Sequence, residues 1–187
     1  MRHIAAIALA VALAVAIACS PQPILEQNLV PPARLAGTLQ PVAGWMMRMV
    51  EGRTVSGERR PGSNPAERVP HMTRGQAVYY SRGSVVLVEV TDSVTDSGIL
   101  AGLVASLTSG DKGKSGGGQS QSMTIGSTPG VESWNASTTE GQITLLVAKR
   151  FVVSITGRGM NDVSVLRDFA SKLDTTKLAA LRTWRGV

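Results

Sequence analysis

Few side chains in this chain are suited to acid–base, nucleophilic or metal chemistry. The sequence contains two histidines, of which His3 lies close to the N-terminus and His71 lies in the body of the chain, and one cysteine, Cys19. A serine hydrolase needs a base beside its nucleophile, and His71 is the one histidine placed to serve as that base. Transition-metal sites need several His, Cys or carboxylate ligands, and these residues do not cluster in the sequence. We therefore expect no metal site and no cofactor.

A pair of carboxylates is the other arrangement that would support catalysis, as in glycoside hydrolysis. The acidic residues of the body are few, and strand phase predicts that Glu89 and Glu132 face solvent. We expect a protein that is not an enzyme. The alternative is an exported hydrolase of unrecognised type that uses His71 or a carboxylate pair, drawn from Glu89, Asp92, Asp96, Glu132 and Glu140.

The residues before Cys19 have the composition of a signal peptide. Arg2 precedes an uncharged apolar run, Ile4–Ala18, and small residues end that run. A positive start, a short apolar stretch and a small-residue cleavage site define such a leader. The run is shorter than the roughly 20 residues that a membrane-spanning helix needs. The sequence therefore predicts residues 1–18 as a signal peptide.

The end of the leader, Ala16 to Cys19, resembles the lipobox of bacterial lipoproteins, in which a small residue precedes a cysteine that carries a diacylglycerol thioether. The resemblance implies that Cys19 is the lipid attachment site, acylated with chains such as palmitate. It implies a partner, the membrane, reached through this N-terminal lipid. Ser20 after the cysteine resembles the default sorting signal for an outer-membrane lipoprotein facing the periplasm.

Ordinary secretion is the alternative interpretation of the same residues. Ala16, Ile17 and Ala18 also form an A-x-A cleavage site. Cleavage there would leave Cys19 as a free thiol in a soluble periplasmic or secreted protein, and an unpaired thiol is a liability in an oxidising compartment.

Composition divides the remaining chain into a tether and one domain. Residues 19–40 contain the lipidated cysteine and four prolines without strong periodicity, which predicts a flexible tether. Residues 41–187 are long enough for a single domain, interrupted by a flexible Gly/Ser loop at 109–122. The formal net charge is +6, and its basic residues are scattered without interleaved aromatic residues, so we expect no nucleic-acid partner.

Periodicity predicts the secondary structure of this domain. Helical spacing of apolar residues predicts a helix over Pro41–Glu51, and alternation predicts a hairpin of Gln76–Ser81 and Ser84–Thr91 around Arg82-Gly83. The second half is predicted to contain the strands Val131–Asn135, Gln142–Ala148 and Phe151–Thr156, followed by helices that start near Asp162 and Asp174. Together these elements predict an α+β fold, an antiparallel β-sheet with helices packed on one face.

One predicted helix, from about Ser97 to Thr108, is apolar on all sides. Such a helix is normally buried, so we expect it in the core. The alternative is a lid over an apolar pocket, with a lipid or another hydrophobic ligand as the guest.

The stretch from Val131 to Leu181 resembles small envelope domains of the PsbP-like type. The resemblance is carried by Trp134, Gly141-Gln142, Arg150-Phe151 and Gly157. It implies a fold used mainly for binding and assembly support. With the anchor, this favours a lipoprotein of the cell envelope with a non-catalytic binding or structural role, whose partner is a hydrophobic ligand or an envelope protein.

Acylation of Cys19 is directly testable by mass. We expect the exported protein to carry the mass of a diacylated or triacylated N-terminal cysteine, and we expect Cys19→Ser to lose that mass. Intact-protein mass spectrometry of both proteins makes the comparison. A wild-type protein that begins at an unmodified Cys19 would contradict the anchor and support ordinary secretion.

Overall fold

The computed structural model describes residues 28–56, 70–93, 97–109, 114–115 and 118–185. The predicted signal peptide, Cys19 and residues 20–27 lie outside these ranges. Within the described ranges, eight strands form one antiparallel sheet in the order β1-β2-β3-β8-β7-β6-β5-β4. The strands are β1 (Met46–Ser56), β2 (Pro70–Ser81), β3 (Ser84–Asp92), β4 (Lys114–Ser115), β5 (Gly118–Ile125), β6 (Thr128–Asn135), β7 (Glu140–Val147) and β8 (Phe151–Arg158).

Two meanders meet in the middle of this sheet. The first runs inward from the edge strand β1 to β3, and the second begins at the opposite edge with β4 and returns to β8. Strands β3 and β8 pair along their whole lengths, from Val85 opposite Arg158 to Asp92 opposite Phe151. The helices are α1 (Pro32–Ala36), α2 (Ser97–Ser109), α3 (Ser164–Lys172) and α4 (Thr175–Ala180).

Tight turns with positive φ close both predicted hairpins. Arg82 and Gly83 have φ values of 46° and 87°, as a two-residue type I′ turn requires. Ala148 and Lys149 also have positive φ, and the Arg150 N–H donates to the Val147 carbonyl at 3.1 Å. The predicted β2–β3 and β7–β8 pairings are confirmed.

In the part of the chain that the structure describes, three helices (α1, α3 and α4) cover one face of the sheet. Their buried side chains share a single apolar core with the inward-facing valines and isoleucines of β3, β7 and β8. In α3, Phe169 packs edge-on against Trp45 and Tyr79, with ring centroids 4.9 and 5.0 Å apart. The predicted α+β fold, an antiparallel sheet with helices on one face, is confirmed. The helix residues in this core are Leu35 of α1, Leu166, Phe169 and Ala170 of α3, and Leu178 of α4.

Helix α1 lies directly on a pair of glycines in the sheet. Gly52 of β1 and Gly75 of β2 are opposite each other. A Cβ added at Gly75 would lie 2.6 Å from the carbonyl carbon of Leu35 and 2.8 Å from the Cα of Ala36. The missing side chains therefore let the helix backbone approach the sheet backbone, which seats α1 over β1 and β2.

The predicted helix over Pro41–Glu51 is wrong, because most of this segment belongs to strand β1. Trp45 and Met47 pack against the core, whereas Met46 and Met49 are exposed. The pairing with β2 shifts between Met47 and Met49, as a bulge does. The apolar residues at helical spacing therefore lie on the two faces of a bulged strand. Pairing with β2 satisfies the backbone hydrogen bonds of this strand.

The tether prediction is wrong over residues 28–40. Leu29, Val30, Leu35 and Leu39 are buried, so this segment is part of the domain. Pro32 occupies the first turn of α1, where a missing N–H has no cost, so prolines here begin a helix.

The predicted flexible loop at 109–122 is wrong from Gly118, where β5 begins. This strand pairs with β6 from Gln119 to Ile125. The Ser and Gln residues of β5 show no apolar alternation, so the sequence of this segment does not predict a strand. Its pairing with β6 defines it as one.

Replacing Gly75 tests the seat of α1. We expect Gly75→Ala to lower the free energy of unfolding by about 2–3 kcal/mol, because the new methyl group must displace helix backbone. Gly102→Ala is the matched control, since a Cβ at Gly102 meets no atom within 4 Å and alanine favours a helix by up to about 1 kcal/mol. Urea unfolding of the two variants gives both free energies of unfolding. Equal free energies would contradict the close approach of α1 to Gly75.

Candidate functional site

Helix α2 is uncharged and apolar, yet it lies on the surface. Val104 is 44% exposed, and Ala101, Gly102 and Ala105 are also exposed. Leu100, Leu103 and Leu107 are half-buried. The prediction that this helix lies in the core is therefore wrong, although its position in the sequence is confirmed. Of the helices in the described ranges, this one of 13 residues included, none is long and apolar enough to cross a membrane.

A groove of about 830 Å³ lies beneath α2, and we call it the α2 groove. It is formed where α2, the β5–β6 turn, the β7–β8 turn and α4 meet at one end of the sheet. Its lining is mainly apolar, with the hydroxyl residues Ser127, Thr128, Thr175 and Thr176 and the amine of Lys149. The apolar lining includes Leu100, Val104 and Leu107 of α2, with Pro129, Leu146 and Ala179 opposite.

Part of the groove wall is a strained turn. Ala148 and Lys149 hold φ values of 53° and 57°, a left-handed conformation that costs a residue other than glycine about 1 kcal/mol or more. Strained backbone persists where surrounding contacts fix it. Here the next residue, Arg150, makes hydrogen bonds that hold the end of the turn.

Arg150 forms a buried ion pair with Asp92, a carboxylate with no exposed surface. Its Nε donates to Oδ1 at 2.9 Å and its Nη2 donates to Oδ2 at 2.6 Å. Oδ2 also accepts from the Val30 N–H at 2.8 Å. Arg150 further donates to the carbonyls of Asn28 and Arg182, at 2.5 and 2.8 Å. One guanidinium thus joins the N-terminal segment, the end of β3, the β7–β8 turn and the residues after α4.

A second, polar cavity of about 420 Å³ lies at the other end of β6, and we call it the Trp134 pocket. Glu132 lies inside it with a side chain only 3% exposed, so the prediction that Glu132 faces solvent is wrong. The register explains this, because Glu132 and Trp134 are opposite Ile143 and Gly141 on the core face.

Arg167 of α3 neutralises this buried carboxylate. Its Nε and Nη2 each donate to Glu132 at 2.6 Å, and Gln121 Nε2 donates at 2.9 Å. Burial acts to raise the pKa of Glu132, but the hydrogen bonds from Arg167 and Gln121 and the charge of Arg167 outweigh it and lower that pKa. Glu132 is therefore ionised at neutral pH and holds no proton to donate as a general acid.

The predicted catalytic candidates do not come together in the described part of the chain. Of the described carboxylates, Glu132 alone lines either of the two cavities. His71 lies in β2, and its side chain lies outside what is described, as do Asp96 and Cys19. Glu89 pairs with Arg74 at 3.4 Å on the sheet face opposite Val88 and Val90. No group of three or more metal-binding side chains occurs in the described ranges.

Sequence reasoning identified α2 and missed both ion pairs. Asp92 and Arg150 are 58 residues apart, and Glu132 and Arg167 are 35 apart, so no local pattern links them. Strand phase was the available signal for the burial of Glu132, because Glu132 and Trp134 are two residues apart in β6 and lie on the same face. Comparison of the chain with protein-family models, with curated proteins and with solved structures finds no match.

Proposed function

We propose that this chain is a lipid-anchored, non-catalytic protein of the cell envelope that binds an acyl chain in the α2 groove. The observation that carries the proposal is the position of α2, an uncharged helix that covers an apolar groove and leaves Val104 exposed. Exposed contiguous apolar surface marks binding sites, since burying it yields roughly 25 cal/mol per Å².

The size and lining of the groove favour a small apolar ligand. Small-molecule sites of proteins commonly measure about 300–1,000 Å³ and are mostly apolar with a few polar groups, and the groove measures about 830 Å³. Lys149 and the hydroxyls of Thr175 and Thr176 are suited to an anionic or hydroxylated head group. The ligand class is therefore an acyl chain with such a head group.

The way α2 is held supports a lid. Among the described residues, its main contact with the sheet is to β6, whereas α1 contacts β1, β2 and β3. Segments with few buried contacts open at low free energy, and binding lids are drawn from such segments. The opposite wall is held by the ion pair of Arg150 and Asp92.

The anchor at Cys19 would keep the groove close to a lipid surface. Cys19 precedes Asn28, the first described residue, by nine positions. Nine extended residues span at most about 30 Å. A bilayer carrying the Cys19 lipid, expected to be the outer membrane on its periplasmic side, would then be within reach as the source of ligand.

We propose binding and not catalysis, because the described lining of the groove offers apolar groups, hydroxyls and one amine. An exported hydrolase that uses His71 or a carboxylate pair remains the alternative. An activity screen of wild type against His71→Ala tests its histidine version, which unchanged activity would remove.

A charge on α2 tests the groove. We expect the exported Cys19→Ser protein, which has no acyl chain of its own, to bind the fluorescent fatty acid cis-parinarate. Val104→Glu should weaken that binding about tenfold or more, because it places a carboxylate against the lining and removes a valine contact.

Ala101→Glu is the matched control. Ala101 is exposed on the same helix and does not line the groove, so its variant should bind like the parent protein. Equal binding by Val104→Glu and the parent, or equal loss in both variants, would contradict the site.

A further inference from the structure

We infer that the Trp134 pocket is a second binding site, for a neutral saccharide. The pocket combines an indole ring with amide, carboxylate and guanidinium groups around about 420 Å³ of space. Its lining includes Gln121, Glu132, Trp134, Asn135 and Arg167. A ligand that has both hydroxyl groups and an apolar C–H face matches this combination, since indole offers an apolar face and one polar edge.

Several polar groups of the pocket have bonding capacity left over. Arg167 is 48% exposed and uses Nε and Nη2 on Glu132, so Nη1 has no protein partner among the described residues. Gln121 donates to Glu132 through Nε2, and its Oε1 accepts no hydrogen bond from the described residues. The Trp134 indole N–H likewise donates to none of them. Two donors and one acceptor are thus available to a bound ligand.

The local charges favour a neutral ligand. Glu132 balances the charge of Arg167, and Asp162 adds a further negative charge near Arg167. An added anion would face both carboxylates, and an added cation would face the guanidinium. Hydroxyl groups, in contrast, accept from Arg167 and donate to Gln121 without adding charge.

The ion pair of buried Glu132 with half-exposed Arg167 also fixes one side of the pocket. Glu132 on β6 and Arg167 on α3 are joined by two hydrogen bonds of 2.6 Å. Trp134 packs over Gly141, where a Cβ would lie 2.7 Å from the indole Cε3. A donor fork and a ring held this way lose little freedom when they bind a ligand, which is how preorganisation raises affinity.

This pocket is separate from the α2 groove. Thr128 and Pro129 line the groove at the start of β6, and Trp134 and Asn135 line the pocket at its end. Six or seven strand residues correspond to about 20 Å, so occupancy of one site leaves the other open. The saccharide inference therefore does not depend on the proposed acyl-chain binding.

Calorimetric titration of the exported Cys19→Ser protein tests the site, with chitobiose and maltose as saccharide probes and inorganic phosphate as the anion probe. We expect at least one disaccharide to bind and phosphate not to bind. Arg167→Gln should weaken disaccharide binding about tenfold, since it removes charge-assisted donors from a half-exposed position. Trp134→Ala should abolish binding.

Two controls keep the result interpretable. Trp184→Ala removes another half-buried indole, which packs under Arg34 away from the pocket lining, and should leave binding unchanged. Urea unfolding of Arg167→Gln shows whether the variant is folded. The inference is overturned if neither disaccharide binds, if phosphate binds in their place, or if folded Arg167→Gln binds as tightly as the parent protein.

Discussion

The buried ion pair between Asp92 and Arg150 is the interaction on which the arrangement of this domain depends. A buried charge is tolerated only when it is paired and its hydrogen bonds are satisfied, and removing one partner typically costs about 3–5 kcal/mol. Arg150 also binds the Asn28 carbonyl, 122 residues away in sequence, and the Arg182 carbonyl. The pair thus fixes the chain at the N-terminal start of the described domain, at the centre of the sheet and beyond α4.

This ion pair holds one side of the α2 groove, which is formed by the β7–β8 turn and α4, whereas α2 forms the other side. The β7–β8 turn immediately precedes Arg150, and α4 is held from the other side through Arg182. The seat of α1 on Gly52 and Gly75 fixes the N-terminal segment over the same sheet. Among the side chains that the structure describes, those of α2 lie outside the buried core cluster, in contrast to side chains of α1, α3 and α4. Helix α2 is therefore the groove element that we propose moves when a ligand binds.

Local sequence patterns predicted the elements whose folding is decided locally. The turn at Arg82-Gly83, the alternation of Val153 and Ile155, and the cap of Asp174 on the Lys177 N–H need only neighbouring residues. Strand β1 needed knowledge of its partner β2, and the burial of Leu29 and Val30 needed the distant carboxylate of Asp92. Both cavities are formed by residues far apart in sequence. Composition therefore predicted that α2 is apolar but not where it packs.

Hydrogen exchange measured residue by residue tests the central claim, that a sheet fixed by the ion pair carries a movable apolar helix. We expect amides of β3 and β8 to exchange only through global unfolding, and amides of Leu100–Leu107 to exchange far faster in the free protein. Adding palmitate should then slow exchange in α2 alone. Protection of α2 equal to that of β3 in the free protein would show that α2 is as firmly held as the sheet, and would rule out a movable helix.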